Sequence, residues 1–212
     1  MKINSPKTKF MVFNPTLSFD FVPEMKLDSN TLETVESMKL LGLVVSNDLS
    51  WKSNTENLTR KAYGRLWSIK RLANHGATLD DLIDIYIKQV RSVLEFGVPV
   101  WSSSITNEEV KDLERVQKSF LQIALGSEYY NYEDAVAQTG LENLENRRTK
   151  LCLSFGKKAA NHPKHSHWFE KKNDEKLPNT RSVKQKYNEP ICRLERFRKS
   201  PIPYLTRLLN EQ

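Results

Sequence analysis

Cysteine is scarce: Cys152 and Cys192 are the only two among 212 residues. One pair of thiols cannot supply the disulfide framework of a small secreted domain. Long apolar runs are missing too. The longest, residues 40–45, falls far short of the roughly 18 residues that a membrane-spanning helix needs. The opening segment, MKINSPKTKF, lacks the apolar stretch of a secretory signal. These absences lead us to expect an intracellular protein, nuclear or cytoplasmic, with no membrane partner. There is no G-x-S-x-G, no Walker loop and no H-E-x-x-H. Carboxylates are plentiful, but Asp80 and Asp81 stand where a helix dipole favours them, and Glu114 with Lys118 has i,i+4 spacing. Two-metal phosphoryl transfer needs clustered carboxylates on a rigid scaffold, and no candidate stands out. His162, His165 and His167 form H-x2-H-x-H between the two cysteines. Zinc ligands come in two separated pairs, so this pattern reads as a basic surface loop, and no metal ligand is expected.

What is present is charge. Lys and Arg number 33 against 26 Asp and Glu, a formal net charge of +7, with a pI of about 9.3. The excess is one-sided. Residues 151–212 hold 14 basic and 6 acidic residues, whereas residues 1–50 hold 5 and 6, and residues 51–150 hold 14 of each. A segregated basic segment points to a polyanion, most often nucleic acid, or to a solvated tail. The AVILMFWYC share of 38% is a little under the globular norm of about 45–50%. One domain or two small ones, with much of the chain on a surface, is expected.

Residues 1–51 read as β. Residues 9–13 and 17–22 are short apolar or alternating runs parted by Asn14-Pro15, and residues 40–45 form a core strand that breaks at Asn47-Asp48. From Ser53 the period turns helical. Leu58, Ala62, Leu66, Ile69 and Ala73 make the inner face of a first helix, which ends at His75-Gly76. Thr78 to Asp81 resembles a capping box and opens a second helix with Leu79, Ile83, Tyr86, Val90, Val93 and Gly97 inward, ended or kinked by Pro99. Thr106 to Glu109 is a better capping box, opening a third helix that closes at Gly126. A short helix spans 132–139 and stops at Gly140. Another starts at Leu144 and runs to about Ala160, with Leu144, Leu151, Phe155 and Ala159 inward. Residues 162–199 have little periodicity, and residues 200–210 form a last helix that docks through Leu205, Leu208 and Leu209. The fold class is α+β, mainly α: short N-terminal antiparallel strands, a helical bundle, and a basic, irregular C-terminal segment.

The first helix carries the pattern most suggestive of binding. Arg60, Gly64, Trp67 and Arg71 fall on one stripe largely opposite the apolar face, with Lys61, Tyr63, Arg65 and Lys70 nearby. Cations there suit phosphates, and an aromatic ring suits a sugar or base. Gly64 lets a backbone approach closely, at a helix cost of ~1 kcal/mol relative to Ala. The alternative is an amphipathic helix whose cations are merely solvated.

The ordered series of motifs resembles the end of a reverse transcriptase of the non-LTR (LINE-type) retrotransposon kind. It begins with Asn4-Ser5-Pro6-Lys7-Thr8-Lys9, then Met38-Lys39-Leu40-Leu41-Gly42-Leu43 and Asp48-Leu49-Ser50-Trp51. Lys61-Ala62, Arg65-Leu66, Tyr86, Arg91-Ser92-Val93-Leu94-Glu95 and Trp101 follow. Residues 113–118, 141–144, Arg147-Arg148 and Leu151-Cys152 complete it. The resemblance implies four segments: a palm remnant and primer grip over 1–51, a three-helix thumb over 52–127, additional helices over 128–161, and a basic extension over 162–212. It implies that Lys7 is a proton donor to the leaving pyrophosphate and that Leu40, Leu41 and Gly42 form a primer-grip hairpin. It also implies that Arg60, Lys61, Tyr63, Arg65, Trp67, Lys70 and Arg71 ride on an RNA–DNA or DNA duplex.

The family's metal-binding aspartates lie upstream of the element at Asn4. This chain alone is therefore expected to be inactive, with no cofactor of its own. Mg²⁺ would serve only the complete polymerase, and the missing polymerase and endonuclease parts would be partners. The runner-up is a non-catalytic helical scaffold that binds nucleic acid or protein through a basic tail. A translated relic without a function is the third reading.

Overall fold

The computed structural model describes residues 8–13, 24–27, 30–172 and 186–212. Lys7, the strand expected at 17–22 and the middle of the basic segment lie outside these residues. The chain divides into two compact units, Met1–Arg60 and Lys61–Gln212. Among the described residues it is mainly helical, with short strands confined to its beginning, and so α+β as expected.

Among the described residues of the first unit six short strands pair two by two. β1 (Lys9–Phe10), β2 (Lys26–Leu27), β3 (Asn30–Thr31), β4 (Glu33–Thr34), β5 (Ser37–Leu40) and β6 (Leu43–Ser46) form the pairs β1–β4, β2–β3 and β5–β6. Two pairs are antiparallel, but β1 and β4 are parallel, which corrects the all-antiparallel expectation. The reason is the long connection between them: a parallel return needs a crossover of a dozen or more residues, and a tight hairpin cannot make one.

Residues 40–45 are also not one strand. Leu41 and Gly42 turn the chain, with φ of 47° and 96°, and Leu40 pairs with Leu43 across the turn. Positive φ at both central residues is the geometry of a tight hairpin, which Asn-Gly adopts most easily. Leu41 holds it with its side chain 91% exposed. A left-handed conformation costs an L-residue roughly 1–2 kcal/mol, and little burial offsets that here. Behind the hairpin, Asn54 in the first turns of helix α1 (Lys52–Asn74) accepts the Val44 N–H at 3.1 Å.

The second unit is built from helices. After α1 come α2 (Leu79–Ile85), a π-helical segment (Tyr86–Arg91), α3 (Ser92–Leu94), α4 (Val98–Trp101) and α5 (Asn107–Leu125). Then follow α6 (Tyr132–Thr139), α7 (Leu144–Ala160), α8 (Glu195–Arg198) and α9 (Pro201–Asn210). The capping box at Thr106 and Glu109 forms in full, and Gly126 and Gly140 close their helices with positive φ.

The inner faces of two helices differ from those expected. In the second helix the buried set is Leu82, Tyr86, Val90, Leu94 and Val98. A strict four-residue step drifts by about 40° per step on an α-helix. The wider π turn cancels that drift, so one stripe stays inward. In α7 the buried residues are Leu144, Arg148, Cys152, Gly156, Ala159 and Ala160, while Phe155 is exposed and Leu151 half-buried. Periodicity favoured the large side chains, but packing chose the small ones, because they let α9 approach. A Cβ on Gly156 would lie 3.6 Å from Leu205 and Leu209.

Polar groups tie this core together. Gln117, fully buried, accepts from the Tyr86 hydroxyl at 2.8 Å and donates to the Tyr132 oxygen at 3.0 Å and the Glu142 carbonyl at 3.1 Å. Tyr132 donates to Glu114 at 2.8 Å, and the other Glu114 oxygen accepts the Glu145 N–H at the start of α7 at 2.9 Å. The Tyr86 ring stacks on Phe120 at 4.1 Å. Nearby, the Arg147 guanidinium forks onto Glu95, which Arg91 also approaches at 3.7 Å.

Two outcomes follow from this packing. Leu41→Asn relieves the turn without loss of a buried contact and raises stability to urea by roughly 1 kcal/mol. Burial, and for Tyr132 also the hydrogen bond to Glu114, holds the phenols of Tyr86 and Tyr132 protonated above their ordinary range. Their contribution is whole below about pH 10, where an unfolded tyrosine titrates, and is lost as pH rises beyond that. An alkaline absorbance titration therefore finds these two ionising only together with unfolding; early, reversible ionisation of all seven tyrosines contradicts the network.

Candidate nucleic-acid interface

Over residues 61–74, α1 has a buried face formed by Ala62, Leu66 and Ile69, with Ala73 half-buried. At about 100° per residue, Trp67 and Arg71 fall 140–180° away from it. Trp67 is accordingly 62% exposed. Side chains on a helix lean toward its N-terminus, so Arg71 lies back over Trp67, its guanidinium carbon 4.9 Å from the indole centroid. His75 closes the row. Its Nδ1 lies 2.7 Å from the Arg71 carbonyl oxygen, which only accepts, so Nδ1 carries the proton. Trp67, Ser68, Arg71, Leu72 and His75 line a shallow surface groove. On the other flank Lys70 and Asn74 share a second groove with Ser119, Gln122 and Ile123 of α5.

The charges here lack carboxylate partners among the described residues. No acidic residue occurs between Glu56 and Asp80. Among the described residues Lys61, Lys70 and Arg71 have no carboxylate within ion-pair distance. Other cations do: Lys88 reaches Asp84 at 2.5 Å, Lys150 reaches Glu142 at 2.6 Å, and Arg115 is held by Asp112. Such exposed pairs contribute little to stability, but they neutralise their surroundings, and the α1 face stays positive.

The expected site residues are not all brought together. Tyr63, Trp67 and Arg71 share the outer half of α1, Lys70 stands on its flank toward α5, and Lys61 stands on the opposite flank. Arg65 is turned away and donates to the Gln89 carbonyl in the π segment. Arg60, in the first unit, donates to Asn57 at 3.3 Å. Leu40, Leu41 and Gly42 make the hairpin tip of that unit, and Lys7 lies outside the described residues. No protein-family model, curated protein or solved structure matches the chain. Several residues of the motif series, among them Tyr86, Trp101, Gln117 and Cys152, are buried in the second unit, and Glu95 and Arg147 pair at half-buried positions there. They bear on its architecture rather than on its chemistry.

The histidine pattern makes a ring stack. His162 lies 4.8 Å from His165, which lies 4.5 Å from Trp168. Among the described residues no three His, Cys, Asp or Glu side chains converge as a metal site would require. Ser119, Gln122 and Ile123 escaped sequence reading, although their i, i+3, i+4 spacing marks one outer face of α5.

Exposure separates the tryptophans experimentally. Trp67→Ala changes the unfolding free energy by less than about 0.5 kcal/mol, as a surface substitution does. Trp101, wholly buried with its indole N–H on the Phe96 carbonyl at 2.8 Å, costs about 3–5 kcal/mol when truncated to Ala. Urea denaturation of both variants checks the contrast.

Proposed function

We propose that this chain is the C-terminal part of an RNA-directed DNA polymerase of the non-LTR retrotransposon kind, and that it holds the template–primer duplex. The observation that carries this reading is the exposed Trp67 of α1 with Lys70 and Arg71 beside it, neither cation having a carboxylate within ion-pair distance among the described residues. Cations without carboxylate partners can replace the counterions of nucleic-acid phosphates. The hairpin at Leu40, Leu41 and Gly42 supports the reading in shape, since it extends an apolar tip where the resemblance implies a primer grip. In this role the chain positions a strand. Nucleotide addition belongs to the aspartates of a palm, which the resemblance places before Asn4.

A second reading puts binding in the basic C-terminal segment, because Arg193 and Arg196 are exposed there and residues 151–212 hold most of the charge excess. Deleting residues 162–212 would uncover Gly156, Ala159 and Ala160, so charge removal is the cleaner comparison. In a salt titration with an RNA–DNA hybrid and a DNA duplex, Lys70→Ala with Arg71→Ala weakens binding. It also flattens the log K against log salt slope by about 2, since each phosphate contact contributes roughly 0.9. An unchanged slope overturns the α1 reading. If Arg193→Ala with Arg196→Ala alone flattens it, the C-terminal segment is the binding surface.

A further inference from the structure

Trp67, the one tryptophan of α1, stands in solvent, and it is not loose. Arg71 covers one face of the indole at 4.9 Å, and a guanidinium so placed is attracted by the ring's electron-rich face. The ring leans toward the preceding turn of the helix. There the sequence places Gly64, three residues earlier, and no atom lies within 4 Å of the position its Cβ would occupy. The indole thus has a cation on one face and is 62% exposed, one turn from the open position of Gly64, with Tyr63 nearby on the helix, also exposed. Lys70 adds a charge without a carboxylate partner.

We propose that Trp67 takes an unpaired nucleobase, which stacks on the indole face away from Arg71 and over Gly64, while Arg71 and Lys70 meet its flanking phosphates. The inference rests on the reading that the α1 face binds nucleic acid, and it adds which form of nucleic acid. Inside a duplex a base offers only its edges in the grooves, and its faces are covered by its neighbours. An open indole face therefore selects a single strand or the unpaired end of a duplex. A stacked base also explains Gly64 in a helix interior: any side chain there would fill the space the base needs.

The test compares, for the full chain, a short oligothymidylate with an abasic strand of the same length, which keeps the phosphates and lacks the bases. Stacking of one base is worth about a five- to hundred-fold gain in affinity, so the wild-type protein prefers the oligothymidylate by that factor and its tryptophan emission is quenched. Trp67→Ala abolishes the preference and the quenching, Trp67→Phe keeps part of the preference, and Lys70→Ala weakens both strands alike. Gly64→Leu, a good helix former at an open position, behaves as Trp67→Ala does while leaving the helix content intact. A duplex with a single-stranded overhang binding better than a blunt one places the base at a duplex end; free strand alone binding better places it within a single strand. Equal affinity for thymidylate and abasic strands, with the salt dependence retained, overturns the stacking site and leaves the duplex reading standing. No binding to any strand or duplex overturns both.

Discussion

Gln117 sits in the middle of α5 without contact with water, and an amide there must find its hydrogen-bond partners within the protein. It does so in three other segments. It accepts from Tyr86 in the π segment and donates to Tyr132 in α6 and to the Glu142 carbonyl before α7, while Tyr132 passes the chain on to Glu114. Loss of one member leaves a buried donor or acceptor unpaired, which costs about 1–3 kcal/mol. The spacing of these helices is therefore set by directional bonds as well as by apolar contact. The π segment belongs to the same arrangement, because its wider turn keeps Tyr86 and Val90 in line with Leu82 and Leu94.

A frame of this kind matters for the outer face of α1. Ala62, Leu66 and Ile69 bury one side of the helix and fix which residues face water. Trp67, Lys70 and Arg71 are then held outward. Arg71 spends its charge on the indole, Arg65 on a backbone carbonyl, and Lys61 and Lys70 on nothing inside the described protein. A positive surface next to a held aromatic ring suits a polyanion that also carries flat rings.

Much of the helical layout was legible in the residues, and the reason is local. Thr106 with Glu109, Asn131 before Tyr132, Gly140 after Thr139, and Pro201 in the first turn of α9 each act within a few residues of where they stand. What was misread depends on distant partners. Phe155 was expected inward and is exposed, because α9 needed the small residues of α7 beneath Leu205 and Leu209. Residues 40–45 read as one apolar strand, although Gly42 lets the chain reverse after Leu41 at a conformational cost that no hydropathy pattern reveals. In the candidate site the stripe of α1 was legible from its 3.6-residue period, but the engagement of Arg65 by Gln89 was not, since 24 residues separate them.

By itself the sequence determined the class of the fold, the ends of most helices, the one-sided charge and the outward position of Trp67 and Arg71, all of which follow from periodicity and short-range capping. The tertiary structure alone decided which cations find a carboxylate, that Glu95 is clamped by Arg147 from a helix 52 residues away, and that β1 and β4 run parallel. Those outcomes depend on which surfaces the folded chain brings within a few ångströms of each other. Spacing along the chain carries no record of that distance.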